Sequence, residues 1–449
     1  MNKIRYIVIF TIFFIMILLP MNTILASDID KTDYNPDNIT TNSPSVLLMD
    51  AKSGNILYSK NIYERRYPAS TTKLMTAILT LENCELDEIV KVSHNAIFSI
   101  PIGYSHASLQ EGEELTVEEL LNVLLIPSAN DAAVALAEHI AGSVENFSEM
   151  MNEKAKELGC LDTHFVNPNG IHNENHYSTA YDLSLIGKYA MKFDEIMNIA
   201  KVSQYTLPKT NKYDKENRVF NATNALIDNL ENYYYEYATG LKTGYTDKAG
   251  YCIVTTAKKD NIELLGVVIG SDSISDRYED CIKLFNYGFE NYSYKNLVTS
   301  NSIIDTIEIE GATKETKSLN ALAKNNIDVL LKNDVNVYNL EPKISINSNL
   351  TSPISKDAVI GTISYEIAGN TYSTDLIAEH SVEPSNFETI LFRTLLIFLI
   401  FYILIIILKK LNNPRNKKKY RSPHSTNYKK KFKPHKGGRY KYTQINDYL

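Results

Sequence analysis

The sequence predicts a mixed α/β domain followed by a small all-β domain and one membrane span. Three observations carry this. Apolar residues recur at helical spacing across much of residues 70–192, and after Gly250 the period shortens to that of strands before one more helical stretch. From about Asn301 to Glu383, short Ile/Val/Thr-rich runs alternate with turn residues and helical periodicity is weak. From Thr389 to Leu408, about twenty almost wholly apolar residues suffice to cross a bilayer.

Taken in order, Lys3 and Arg5 precede an apolar run from Tyr6 to Pro20, with a cleavage-like Ile24-Leu25-Ala26. Residues 1–26 are therefore expected to be a signal peptide that exports the domain after it; the long apolar run leaves an uncleaved anchor open. Residues 27–43, polar and rich in Asp, Asn and Thr, read as a linker. Ser45 to Asp50 and Asn55 to Ser59 flank Ala51-Lys52-Ser53-Gly54 as a hairpin. Pro68 and Ala69 precede a helical stretch from Ser70 to about Glu82. Further helices are expected over Val117–Ile126, broken at Pro127; Asp131–Ile140, closed by Gly142; Asn146–Leu158, ended at Gly159; and Thr179–Lys192. A polar stretch runs from Thr206 to Asn217. Strands Tyr251–Ala257 and Glu263–Gly270 and a helix over Asp276–Glu290 complete a domain placed at residues 44–298.

The β-rich domain is placed at 299–384, with strands expected at Ile304–Ile309, Asp328–Leu331, Asn336–Tyr338 and Val359–Ile367. The span is placed at 388–408. Leu395–Leu408 carries no charge, and Arg393 lies close enough to the outer end to snorkel. A tail, 409–449, holds 14 Lys or Arg and one acid, so charge asymmetry predicts a cytoplasmic tail and an extracytoplasmic bulk at the cell membrane.

The net charge of −7 hides two opposite parts. Setting aside the tail and the two basic residues of the leader leaves 30 basic against 52 acidic residues, an exported portion of −22. That argues against nucleic acid as its partner. The basic tail suits anionic inner-leaflet lipid, or serves as a solvated stop-transfer end. Cys84, Cys160, Cys252 and Cys281 are scattered without metal-like spacing, so no metal and no cofactor is expected; pairing and buried free thiols both stay open.

Three short motifs stand in fixed order: Ser70-Thr71-Thr72-Lys73, Ser128-Ala129-Asn130 and Lys242-Thr243-Gly244. SxN alone says little, since Ser59-Lys60-Asn61 and Ser345-Ile346-Asn347 also fit it; the order and context carry the information. A serine hydroxyl needs a base to become a nucleophile. Ser70 and Lys73, three apart on one helical face, can touch. Lysine acts as a base only when burial or a second cation lowers its pKa, and Lys242 is the candidate cation. Ser128 then suits a proton relay to the leaving nitrogen. Gly244 lets a strand approach the ligand without a Cβ.

SxxK, SxN and KTG in this order mark the penicillin-recognising serine acyl-transferases, so the match recognises a known pattern. The surroundings narrow it. Tyr67-Pro68-Ala69-Ser70-Thr71-Thr72-Lys73-Leu74-Met75-Thr76, Pro127-Ser128-Ala129-Asn130-Asp131-Ala132-Ala133, Thr163-His164-Phe165 through Gly170, Tyr177-Ser178-Thr179-Ala180 with Asp182, and Thr239 through Thr246 with Ala249-Gly250 resemble the D-alanyl-D-alanine carboxypeptidases, the low-molecular-weight penicillin-binding proteins. The resemblance covers about Pro44 to Tyr292. It implies a β-lactamase/transpeptidase-like catalytic fold, an antiparallel sheet flanked by helices plus an all-helical lobe. It also implies a serine peptidase that removes the terminal D-alanine from peptidoglycan stem peptides through a Ser70 acyl-enzyme, with β-lactams acylating the same serine. Catalysis would then fall to Ser70, Lys73 and Ser128. Asn130 would hold the substrate amide, Lys242 and Thr243 the carboxylate, the amides of Ser70 and Tyr245 the oxyanion, and Arg277 would orient the carboxylate site. Asp182 reads as a clamp rather than an acid.

Three alternatives share these motifs. A class A β-lactamase uses a glutamate to activate the deacylating water, and Phe165-Val166-Asn167-Pro168-Asn169-Gly170 contains none. A β-lactam sensor would need no intact relay. A cross-link endopeptidase is inseparable by sequence.

Overall fold

A computed structural model describes residues 32–215, 218–385 and 387–411; the leader expected at 1–26, and the tail beyond Leu411, lie outside them. Ser45–Asp50 is buried along its whole length because it is the second strand of a five-stranded antiparallel sheet covered on both faces. The sheet order is Ile56–Lys60, Ser45–Asp50, Ile262–Ser271, Gly250–Lys259, Ala238–Thr246. Alternation sends Val46 and Leu48 to one face, against Tyr278, Leu284 and Phe285 of the helix Ile274–Asn291. Leu47 and Met49 face the other side, in one core with Leu74 and Ile78 of the helix Lys73–Asn83 and Leu183 and Ile186 of the helix Ala180–Ala190.

Beyond that second face, the helices Val117–Leu125, Asn130–Ala141 and Val144–Glu157 join the end of Lys73–Asn83 to form the helical lobe. Thr116 and Glu119 form a reciprocal capping box, Glu119 N donating to Thr116 Oγ1 at 3.1 Å and Thr116 N to Glu119 Oε2 at 2.8 Å, which fixes where Val117–Leu125 starts. Gly142, at φ +77°, ends Asn130–Ala141 as expected.

The C-terminal domain is a five-stranded sheet, in the order Ile303–Glu308, Ser318–Ala323, Asn370–Ala378, Val359–Ile367, Lys343–Ile346, beside the pair Tyr292–Val298 and Ile327–Lys332. Tyr294 OH donates to Asp50 Oδ1 at 3.1 Å, and Asn55 bonds both Asn370 and Tyr372, so this domain rests on the first hairpin. The fold class is thus as the sequence predicts. Asn336–Tyr338 is not a strand: Asn336 Oδ1 accepts from Tyr338 N at 3.1 Å and winds Val337–Asn339 into a 3-10 turn. Among the described residues, one helix, Phe387–Leu411, is long and apolar enough over Ile390–Leu411 to cross a membrane.

The stretch read as a linker is docked where it is described. Asp280 accepts from Asn42 N at 3.1 Å and Ser43 N at 2.8 Å, while Lys60 Nζ donates to the carbonyls of Thr41 and Ser43. Polar residues hold it through backbone hydrogen bonds, which an apolar pattern does not reveal.

The polar stretch after Leu207 is tied down by a buried ion pair. Glu113 is fully buried and accepts from Arg218 Nη2 at 2.6 Å, Thr210 Oγ1 at 2.7 Å and Gln110 N at 2.8 Å. Arg218→Met strands that carboxylate and is expected to destabilise the protein by about 3 kcal/mol in urea unfolding. Adding Glu113→Gln to it should recover part of the loss; no recovery would show that the charge is not what matters.

Candidate functional site

The segment before Lys73 is a 3-10 turn, Ala69–Thr72, rather than the first turn of the α-helix. Ala69 sits at φ +48°, a conformation unfavourable for a residue with a Cβ. Thr71 Oγ1 donates to Pro68 O at 2.7 Å and Thr76 Oγ1 to Pro168 O at 2.5 Å, holding the turn and the following helix to their surroundings. The turn presents Ser70 to a cavity of about 490 Å³, also lined by Ser128, Asn130, Thr243, Gly244, Tyr245 and Arg277.

Lys73 is completely buried behind that wall. Its Nζ lies 2.9 Å from Ser70 Oγ, 2.8 Å from Asn130 Oδ1 and 2.7 Å from Asn169 O. Burial first, and the charge of Lys242 second, hold its pKa well below the ordinary lysine range. Two of its three partners can only accept. Asn130 Oδ1 is fixed as the acceptor because Asn130 Nδ2 donates to Ser105 O at 2.8 Å. A neutral amine has two N–H groups for those two acceptors, which turns its lone pair to the Ser70 hydroxyl.

Ser128, in the linker between two helices, sits at φ +67° and is nearly buried. Asn130 begins the next helix, its N–H on Ser105 O at 3.0 Å. Asp131 accepts from Ala107 N at 2.9 Å and Leu109 N at 3.1 Å, tying the loop over the cavity to this helix; burial raises its pKa.

The third motif lies on the edge strand Ala238–Thr246, which packs against the Ser70 turn. A Cβ on Gly244 would stand 2.7 Å from Ser70 N and 3.0 Å from Thr71 N, so this glycine is needed for the approach of two backbones, not only of a ligand. Thr243 Oγ1 donates to Thr223 Oγ1 at 2.6 Å. Lys242 is buried beneath the strand with its Nζ on Thr243 O at 3.0 Å and does not line the cavity; burial, then Arg277, lower its pKa to about 7. Tyr245 is half exposed at the mouth, its ring 4.4 Å from that of Tyr251. Arg277, in the first turn of Ile274–Asn291, stacks on Tyr278 at 4.3 Å and lies 5.4 Å from the Tyr251 centroid.

All nine expected residues therefore gather around one cavity, seven on its wall with Lys73 and Lys242 behind. Sequence reasoning missed the support. Asn169 contributes a main-chain oxygen, which carries no residue-type signal. Gly170, at φ +82°, brings that oxygen in, since a Cβ there would overlap Ala69 O at 1.9 Å. His176, held neutral by burial with a pKa near 3, accepts from Val166 N at Nδ1 and so donates from Nε2 to Thr72 Oγ1 at 2.8 Å. Asp182, by contrast, is expected from the sequence as a clamp, and it accepts from Asp162 N at 2.8 Å and Thr163 Oγ1 at 2.7 Å. None of the four cysteines is bonded to another.

Residues 30–273 match the model of the D-alanyl-D-alanine carboxypeptidase family, and residues 292–384 that of the penicillin-binding protein 5 C-terminal domain. D-alanyl-D-alanine carboxypeptidase DacF of Bacillus subtilis is 33% identical over 357 residues, covering 78% of this chain and 88% of its own. DacC of Escherichia coli is 31% identical over 368 residues, 78% of this chain and 87% of its own. Penicillin-binding protein 5 from Haemophilus influenzae superposes with a TM-score of 0.63 at 27% identity, covering 78% of this chain and 99% of its own.

Proposed function

The chain belongs to the D-alanyl-D-alanine carboxypeptidases, serine peptidases of the penicillin-binding proteins, and from that premise we propose that Ser70, Lys73 and Ser128 carry the reaction. Neutral Lys73 takes the Ser70 proton as Oγ attacks the carbonyl between the two D-alanines. The oxyanion forms between the amides of Ser70 and Tyr245, whose convergence depends on the close approach at Gly244. Ser128 relays the proton to the leaving nitrogen, and D-alanine departs. Water then attacks the ester with the same groups working in reverse, so no glutamate is called for.

The substrate carboxylate rests on Thr243, with the cationic pair Lys242 and Arg277 behind and beside it. Asn130 gives its oxygen to Lys73 and one amide hydrogen to Ser105, leaving the other hydrogen for the substrate amide. The observation that carries this reading is the contact of Lys73 Nζ with Ser70 Oγ at 2.9 Å, with two obligate acceptors on its other sides. The substrate is the peptidoglycan stem pentapeptide, whose trimming limits donors for cross-linking, and β-lactams occupy the same cavity. The apolar helix anchors the enzyme with its catalytic domain outside the cell and its basic tail inside, against anionic lipid, after export by the leader. The acidic exported part does not bind nucleic acid.

The test is D-alanine release from a diacyl-Lys-D-Ala-D-Ala peptide with and without penicillin, followed by peptide mass mapping. Release that stops as a penicilloyl group appears on the Ser70 peptide is expected. Penicillin held on Ser70 without any prior release of D-alanine would refute the carboxypeptidase assignment of this site.

A further inference from the structure

Away from the cavity, the far ends of the two helices that begin at Lys73 and Asn130 also meet. Cys84 caps the first, its N–H on Thr80 O at 3.0 Å. His139 lies in the last turn of the second. Glu88 ends the short turn that leads from Cys84 to the strand Ile89–Lys91. The Cys84 sulfur, a Glu88 carboxylate oxygen and a His139 ring nitrogen all lie within 4.8 Å of one another. Glu88 Oε2 and His139 Nε2 are 3.2 Å apart. The proposed peptidase reaction uses none of the three.

Thiolate, imidazole and carboxylate together are the donor set of zinc, whereas calcium and magnesium take oxygen donors. Tetrahedral zinc with ordinary bond lengths separates such donors by about 3.3–3.6 Å, so small side-chain rotations close the cluster. One ligand is already oriented from outside: Glu88 Oε1 accepts from Glu85 N at 2.6 Å, which leaves Oε2 directed to the other two. Glu88 and His139 are partly exposed, giving an ion a route in, while Cys84 is half-buried. Burial, with the Glu88 charge, keeps the free Cys84 thiol protonated, with a pKa of about 11.

We propose that Cys84, Glu88 and His139 form a zinc site, with water as the fourth ligand, that ties together the C-terminal ends of the two helices whose N-terminal ends carry Lys73 and Asn130. On binding, the Cys84 thiol gives its proton to solvent and His139 coordinates as neutral imidazole. One thiolate and one carboxylate balance the two positive charges of the ion, and no oxidation or reduction occurs. The N-terminal ends are joined already by Lys73 Nζ and Asn130 Oδ1 at 2.8 Å. The metal would brace the same pair of helices at the other end.

The test uses the full chain in detergent, stripped by chelator and titrated with zinc alone, beside Cys84→Ser and His139→Gln. Wild type is expected to take up one more equivalent than either variant in competition with a chromophoric chelator, and to unfold at a higher temperature when zinc is present. Cobalt in place of zinc should give a thiolate-to-metal charge-transfer band that Cys84→Ser abolishes; the other three cysteines are buried at 4% exposure or less. Equal zinc uptake by all three proteins would place the ion elsewhere, for example on His424 or His435 of the tail, and overturn the proposal. A cobalt band absent from wild type, or retained in Cys84→Ser, would overturn it equally.

Discussion

Lys73→Met is expected to slow penicillin acylation and D-alanine release by on the order of 10³-fold, about 4 kcal/mol of barrier, while the protein stays folded. Methionine keeps the length and apolar stem of lysine and removes the group that burial disfavours as a cation. It leaves Asn130 Oδ1 and Asn169 O without the amine, which costs some stability, but it also removes the need to desolvate an ammonium. The pH profile gives the sign. In the proposed reaction Lys73 works only as the free amine, so kcat/KM is expected to fall as pH drops through its depressed pKa. Lys242 serves in that proposal only as the cation, so the rate is expected to fall again as pH rises through about 7. The two limbs belong to the coupled pair, because each charge shifts the other's titration. Lys242→Arg keeps the charge and should move the upper limb to higher pH whatever it does to the maximum. A Lys73→Met enzyme within tenfold of wild type, or an upper limb unmoved by Lys242→Arg, would reassign these roles.

How far each group is legible in the sequence depends on how it reaches its position. Ser70 and Lys73 are neighbours through local helical geometry, so their spacing alone brings them within 2.9 Å. Asn130 meets Lys73 across 57 positions, and only the motif order hints at it. Thr223 bonds Thr243 at 2.6 Å, yet it lies in a segment that no motif marks, and a hydroxyl that pairs at long range leaves no local trace. The place of Lys242 behind the wall depends on which face of an edge strand turns inward, which the motif does not encode. In the C-terminal domain, Val359–Ile367 is visible through its branched apolar residues and matches the structure. Ser318–Ala323 and Asn370–Ala378 are not, because small or polar residues fill most of their positions, and the strands bury only Leu319, Ala321, Ala323, Thr374, Leu376 and Ala378. The docked residues before Pro44 escape for the same reason, being held by polar bonds.

Gly244→Ala is expected to lower the acylation rate by about 10²–10³-fold, the effect of losing one oxyanion donor. The added methyl would stand 2.7 Å from Ser70 N and 3.0 Å from Thr71 N and the Ala69 Cβ. Backbone crowds it, so no flexible side chain can swing away; the strand and the Ser70 turn must separate. That separation parts the amides of Ser70 and Tyr245, which the proposed reaction needs on one oxygen. Gly142→Ala supplies the contrast. Gly142 has φ +77° and open space around its missing Cβ, so alanine there costs about 1 kcal/mol of backbone strain. It should lower the unfolding temperature slightly and leave acylation unchanged. Gly170→Ala is the opposite extreme, with a contact of 1.9 Å to Ala69 O at φ +82°, and its main expected effect is on folding. The ratio of rate loss to stability loss is therefore the quantity to measure: large for Gly244→Ala and near zero for Gly142→Ala. A Gly244→Ala protein that acylates as fast as wild type would mean that the oxyanion is held by donors other than the amides at this contact.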